Sequence, residues 1–350
     1  MKNLVFNSDE HAVKISFLDR INKICEQIPN DKKYFVILDK KVANLHAAFF
    51  EELKVKDFSI FIIDEPEKQK NINTCLDAIN LMKKDGFNRS DAVIAVGGGA
   101  ITDLAGFVAS SYMRGITYLQ IPTSLLAQVD ASIGGKTGIN HGNIKNFIGS
   151  FYNPSEIIIC AEFLKSLNQQ EFLNGFSEVL KHCIITSKTS LDNLKNLAVE
   201  INNREANILL KLIEESIDIK AQVVTEDFKE KGKRKFLNFG HTFAHGIESI
   251  NHDAPILHGH AVLIGMLMAL DYSKELGFLS LDSYQEVNDA ISSFNYDFTN
   301  IKLDAEGIFE AMKSDKKNTQ TINLILLKEI GQPFLFEDTS NDNLQNFITK

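Results

Sequence analysis

Short apolar runs rich in β-branched residues punctuate the first part of the chain: Tyr34 to Leu38, Ile60 to Ile63, Ala92 to Val96, Tyr118 to Ile121 and Ile157 to Cys160. None alternates with polar positions and each is bounded by turn residues, the pattern of parallel strands buried on both faces. Helical stretches lie between them, and strand alternating with helix predicts an α/β fold with a mainly parallel sheet. After the last run the period changes. Phe172, Phe176, Val179, Leu180 and Ile184 recur three or four apart, as do Leu209, Ile213, Ile217 and Val224, so the second half reads as all-α. The boundary is placed near Leu164 to Asn168, with an α/β domain over 1–166 and a helical domain over 167–350.

Length agrees with two domains, since 350 residues exceed what one hydrophobic core usually serves. The formal net charge of -9 counts against a general nucleic-acid binder, which needs clustered Lys and Arg to neutralise phosphates. No membrane segment is expected: the opening MKNLVFNSDEHAVK lacks an apolar core of signal-peptide length, and the run Ala261 to Leu270 is too short to span a bilayer. Cys25, Cys75, Cys160 and Cys183 are scattered and form no CxxC pair, which argues against a thiolate zinc site or disulfide framework and for a reduced, cytoplasmic chain.

The run Val93 to Val96 leads directly into Gly97-Gly98-Gly99, and Ala100 to Phe107 then reads as a helix. Glycines without a Cβ let a pyrophosphate approach the backbone, and the free amides and positive end of the helix favour its charge. The spacing is not GxGxxG, because Thr102 stands where the third glycine would fall, so a tight turn without ligand is the other reading. A second segment, Ser132 to Gly138, contains Gly-Lys-Thr but is not a P-loop, since Asp130 occupies the position of the required first glycine. What remains is Lys136 beside an acid, followed by Asn140, Lys145 and Asn146: either groups able to bind oxyanions and hydroxyls or a polar surface loop.

Five of the nine histidines, His241, His245, His252, His258 and His260, fall within twenty residues. His241 and His245 are one helical turn apart and face one way, which suits zinc or a polar substrate. The zincin pattern HExxH is absent, because Thr242 replaces its glutamate, and a protease reading is disfavoured. A catalytic zinc takes about three protein ligands and keeps an open position. Glu178 offers a carboxylate, flanked by apolar residues on a predicted helix where an unpartnered charge would cost several kcal/mol. Lys220 continues the stripe Ile213, Ile217, Val224 where an apolar residue is expected; it either snorkels outward, as the period alone favours, or faces a polar pocket. Arg234 and Asn238 are donors suited to a carboxylate.

The stretches GGGAITDLAGF, YMRGITYLQIPTSLLAQVDASIGGKTGIN, KNFIGSFYNP, GFSEVLKH, KAQVV, RKFLNFGHTFAH, LHGHAV and DKKN, in that order, resemble the 3-dehydroquinate synthase family from about residue 64 to residue 331. The resemblance implies an N-terminal NAD-binding domain, a helical metal- and substrate-binding domain, a cleft between them, and a homodimer. It implies zinc (or cobalt) ligation by Glu178, His241 and His258, and NAD contacts from Asp39, Glu67, Lys70, Gly98, Gly99, Asp103, Thr123, Ser124 and Lys145. The implied substrate is the sugar phosphate 3-deoxy-D-arabino-heptulosonate 7-phosphate. Lys136, Asn146, His245 and one of Lys316 or Lys317 match positions around its phosphate, with Arg114 reaching across a dimer interface. Lys220, Arg234 and Asn238 match those around its carboxylate and hydroxyls, and Asp130 and Lys181 those of further substrate-facing groups. The implied chemistry is phosphate elimination and ring closure with NAD reduced and reoxidised in each turnover.

Several positions depart from the family pattern: His260 where an acid follows His258-Gly, Ala244 in place of a glycine, Gly142-Asn143-Ile144 in place of Pro-Leu-Gly, and Lys41 where an asparagine is common. The acid replaced by His260 could orient a zinc ligand, so altered metal affinity or pH dependence is expected. A cyclase acting on a heptulose phosphate without a carboxylate is the nearest rival, opposed by Arg234, Asn238 and His245. A polyol dehydrogenase, which would accumulate NADH, and a catalytically silent relative are the others.

Overall fold

The computed structural model describes all residues except 1, 9–10, 57, 143, 252–255, 300, 315–320, 339–341 and 350. Five of its strands fall on the apolar runs: β3 (Tyr34–Asp39), β4 (Ser59–Ile63), β5 (Ala92–Gly97), β6 (Thr117–Pro122) and β9 (Glu156–Cys160). They join β1 (Lys2–Ser8) and β2 (His11–Leu18) in a seven-stranded sheet of order β1-β2-β9-β6-β5-β3-β4, counted among the described residues. Every pairing in it is parallel except β1 with β2. The continuous apolar runs have a simple cause in the packing. Tyr34, Val36, Leu38, Ile94 and Val96 enter one core, while Phe35, Ile37, Val93 and Ala95 enter another, so successive residues of one strand feed opposite faces.

The pair β1 and β2 is not a continuous apolar run because polar Lys14 and Ser16 separate Val13, Ile15 and Phe17, although Ile15, Ser16, Phe17 and Leu18 are all buried. A second departure follows the glycine segment. Lys136 to Phe151 is not a loop but an antiparallel hairpin, β7 (Lys136–His141) with β8 (Ile144–Phe151).

By contacts the chain divides into two compact units, Met1–Asn168 with Leu209–Phe228, and Gln169–Ile208 with Lys229–Lys350. The first holds the sheet, the hairpin and three helices used below: α1 (Lys40–Leu45), α2 (Ile72–Lys84) and α3 (Gly99–Ser111). The sequence reading assigned everything after residue 166 to the second domain, whereas most of the later helix Ala206–Glu226 groups with the first unit. That helix is α5 (Ala206–Glu226); the second unit is helical around α4 (Gln169–Thr186), with α6 (His241–Ile250) and α7 (His258–Glu275). It also carries an antiparallel pair, β10 (Ile322–Leu327) with β11 (Pro333–Asp338), that the helical period did not announce. Among the described residues no helix is long and apolar enough to cross a membrane.

Candidate active site

Strand β3 is followed in the sheet by β4 on one side and β5 on the other, so the ends of β3 and β5 flank a reversal of strand order. In open α/β sheets that is where the crevice for a ligand forms. Asp39 closes β3 and caps α1, its Oδ1 accepting from the Lys41 amide at 2.8 Å; burial raises its carboxyl above the usual range. Across the reversal, Gly98 precedes α3 without any side chain capping the helix, which leaves its amides for an anion. A Cβ on Gly98 would stand 3.4 Å from Ser124 Oγ, an ordinary contact, and one on Gly99 3.3 Å from the Ala131 Cβ, a tight one. Buried Thr123 donates its amide to the Gly97 carbonyl at 2.9 Å.

One turn into α3, Asp103 meets Lys70. The Lys70 ammonium, on a residue only 4% exposed, donates to Asp103 Oδ2 at 2.6 Å and to Asn146 Oδ1 at 2.5 Å. Desolvation raises the Asp103 carboxyl, opposed by the charge of Lys70. Asn146 holds a left-handed φ of 53° and donates its amide to Asn140 Oδ1 at 2.9 Å, and Asn140 Nδ2 donates to Glu67 Oε1 at 3.2 Å. Glu67, Lys70, Asp103, Asn140 and Asn146 therefore form one bonded set, tied to the hairpin by Asn140 and Asn146. Lys136 and Lys145 are exposed on the same hairpin. Arg114 is not gathered with them: it lies past the far end of α3, roughly 20 Å along the helix axis from Gly99, on an exposed turn where Met113, Arg114 and Gly115 all have positive φ.

Lys220 does not snorkel. It is 6% exposed on α5 and donates to the Asp130 carbonyl at 2.7 Å and to Asp130 Oδ1 at 2.5 Å. Asp130 sits in the π-helical turn Ala127–Ala131, which Gln128 pins by donating to the carbonyls of Pro122 and Cys160 at the ends of β6 and β9. A buried ammonium needs such a partner, and the stripe position thus marks a polar pocket.

In the second unit, close helix contacts built on glycine assemble a separate set. Gly240, at φ 79°, precedes α6; a Cβ there would lie 2.6 Å from the Met266 amide, so α6 begins against α7. Gly259, second residue of α7, donates its amide to Asn174 Oδ1 at 2.7 Å. Asn174 and Glu178 are one turn apart on α4, so this contact delivers His258 to Glu178. Ligand atoms of Glu178, His241 and His258 consequently lie within 4.8 Å of one another. His241 Nε2 is 3.8 Å from Glu178 Oε1, and its Nδ1 is 3.3 Å from the Phe239 carbonyl, which holds the ring with Nε2 inward.

Glu178 is fully buried and faces the Lys181 ammonium, yet neither carboxylate oxygen finds a hydrogen-bond donor in good geometry among the described residues. One carboxylate and two imidazoles fit a divalent cation with an open coordination position, and the orphaned oxygens are explained by such an ion. His245 follows His241 by one turn with ring centroids 6.0 Å apart. Arg234 is buried in the 3-10 segment Lys233–Asn238, and Asn238 Nδ2 donates to Glu230 Oε1 at 2.6 Å. Sequence reasoning passed over Glu230, whose only signal was an acid one turn before Arg234. Lys316, Lys317, Asn143 and His252 lie outside the described residues.

His260 has a different surrounding from the one its neighbourhood in sequence suggested. Its ring packs edge-on against Tyr296 and Phe298, at centroid distances of 5.8 and 6.5 Å, burial lowers its pKa, and its Nε2 has no partner among the described residues.

Family models described as 3-dehydroquinate synthase N-terminal and 3-dehydroquinate synthase C-terminal match residues 60–174 and 175–318. The chain is 38% identical over 343 residues to the 3-dehydroquinate synthase of Helicobacter pylori (strain G27), covering 97% of this chain and 96% of that one. Among solved structures it is similar to 2-deoxy-scyllo-inosose synthase complexed with carbaglucose-6-phosphate, NAD+ and Co2+, with TM-score 0.86, 23% identity and 99% of each chain covered. It is also similar to 2-epi-5-epi-valiolone synthase from Streptomyces hygroscopicus subsp. jinggangensis 5008 with NAD+ and Zn2+ bound, with TM-score 0.85, 23% identity, and 100% and 97% covered. At that identity the two structures establish the fold.

Proposed function

The chain belongs to the 3-dehydroquinate synthase family, and from that premise we propose that it converts 3-deoxy-D-arabino-heptulosonate 7-phosphate to 3-dehydroquinate and phosphate, a lyase step of the shikimate route to aromatic amino acids. The observation that carries the reading is the convergence of ligand atoms of Glu178, His241 and His258 within 4.8 Å, with the buried carboxylate of Glu178 facing Lys181 but finding no hydrogen bond in good geometry among the described residues. Glu178, His241 and His258 would hold Zn2+ or Co2+, which would supply Lewis-acid polarisation of a substrate hydroxyl, and NAD would supply reversible hydride transfer without net consumption.

This chain's residues divide the remaining work. Asp39, Glu67, Lys70, Gly98, Gly99, Asp103, Thr123, Ser124 and Lys145 hold NAD, with the uncapped amides at Gly98 beside its pyrophosphate. Lys136, Asn146 and His245 take the substrate phosphate, joined by Lys316 or Lys317. Arg234 and Asn238 take the carboxylate and neighbouring hydroxyls, where planar guanidinium recognition is strongest. Lys220, held by Asp130, presents a fixed ammonium to the same groups, and Lys181 neutralises Glu178 or turns to substrate. The domain assignment is nucleotide binding by the unit of Met1–Asn168, which also takes in Leu209–Phe228, and metal binding by the unit of Gln169–Ile208 with Lys229–Lys350. The functional form is a cytoplasmic homodimer, with Arg114 entering the site of the second copy; its exposed turn supports this role.

The test is to incubate zinc-loaded protein with NAD and the heptulosonate phosphate while following phosphate, carbocycle and absorbance at the NADH band. Phosphate and carbocycle without net NADH are expected. Accumulating NADH would establish a dehydrogenase instead, and absence of turnover would overturn the substrate. His258→Ala should lose both turnover and bound zinc.

A further inference from the structure

A residue of the neighbouring helix lies in place to orient His258. His258 Nδ1 is 3.4 Å from Glu248 Oε1, across from α7 to α6. Glu248 follows His241 by seven residues, two helical turns, so both lie on one face of α6. The same helix thus supplies one presumed ligand and an acceptor for the ring of the next. Position 260 points elsewhere: residues two apart on a helix do not share a face, and the His260 ring is among Tyr296 and Phe298.

We infer that Glu248 is a positioning residue for metal binding: its carboxylate accepts the Nδ1 proton of His258, fixing the tautomer and ring so that Nε2 faces the ion. The inference rests on the ligand set Glu178, His241 and His258 proposed above. An ionised acceptor behind an imidazole both orients the ring and raises its basicity, and loss of such partners commonly costs metal affinity on the order of 10–100-fold.

The experiment measures zinc affinity of the full-length protein by chelator competition and records the visible spectrum of its Co2+ form, for wild type, Glu248→Ala, Glu248→Gln, His260→Gln and His258→Ala. Glu248→Ala should weaken zinc roughly 10–100-fold and alter the cobalt bands. Glu248→Gln, which keeps an acceptor of the same reach without the charge, should recover part of the affinity and most of the spectrum. His260→Gln should bind zinc within about twofold of wild type on this reasoning. Wild-type affinity and spectrum in both Glu248 variants would overturn the inference, as would a loss in His260→Gln equal to that in Glu248→Ala. Failure of wild type to bind either metal, or full zinc in His258→Ala, would overturn the ligand set beneath it. Circular dichroism of each metal-free variant separates these outcomes from unfolding, and Glu248→Gln keeps the test decisive should the alanine variant fail to fold.

Discussion

Gly259 is seated on Asn174 so closely that a Cβ at 259 would fall 1.8 Å from the Asn174 carbonyl oxygen. Because a backbone atom cannot swing aside, any side chain there must push α7 off α4 and carry His258 away from Glu178. Gly259→Ala should cost about 3 kcal/mol, at the upper end of overpacking effects, and should also lower bound zinc. Chemical denaturation and metal analysis of the purified variant check both; unchanged zinc content would show that the helix contact does not set the ligand geometry.

The Lys220–Asp130 pair is predicted to be energetically coupled. Lys220→Met removes the buried ammonium from a partly buried carboxylate and should destabilise by roughly 1–3 kcal/mol, below the range for fully buried pairs because Asp130 retains solvent contact. Adding Asp130→Asn should recover part of that loss in urea titrations, giving a coupling above about 0.5 kcal/mol. Simple additivity would mean that the two side chains do not depend on one another. Catalytic turnover should fall in Lys220→Met, in Asp130→Asn alone and in the double variant.

Lys70→Met removes the ammonium that faces Asp103 and Asn146. NAD binding should weaken about tenfold, matching loss of one charged hydrogen bond, as read by calorimetric titration. The stability deficit against wild type should be largest at neutral pH and shrink as pH falls. Burial already raises the Asp103 carboxyl, and without Lys70 it rises further, so a protonated Asp103 no longer needs the cation. A deficit independent of pH would argue against the pair.

Buried thiols predict an alkaline weakness. Burial pushes Cys75 and Cys160 from 9.0 to about 11 and Cys25 to about 12. A raised value in the folded state means that the unfolded chain releases these protons first, so stability is intact below pH 9 and is lost as pH climbs toward the folded values. Each such cysteine should contribute a slope of roughly 1.4 kcal/mol per pH unit in that window. At pH 8 all four thiols should resist a disulfide reagent until denaturant is added; rapid labelling of the native protein would contradict their burial.

The interior strands were legible because a strand buried on both faces must be apolar throughout, which Tyr34 to Leu38 and Ala92 to Val96 are. The pair β1 and β2 was missed for the converse reason, since its alternating pattern is that of a sheet margin. The pair β10 and β11 was missed inside a stretch dominated by the helical period. His241 and His245 were readable together because one helical turn separates them, and the glycine turn because strand, glycines and helix adjoin. Lys220 was misjudged. Its partner Asp130 stands ninety residues earlier, and no local period reports a charge that distant.

Chemical identity, helix phase and backbone permission are properties of the chain itself: three glycines at a strand end, two imidazoles on one helix face, a carboxylate among apolar neighbours. Which of these groups meet is a different matter, because contacts between residues far apart in sequence depend on how helices pack. Folding alone brings Glu178, His241 and His258 within reach of one ion, buries Lys220 against Asp130, turns His260 into an aromatic cluster and places Glu248 behind His258. The physical reason is that packing pairs surfaces by shape and charge in three dimensions, whereas sequence patterns record only which face of its own element a residue occupies.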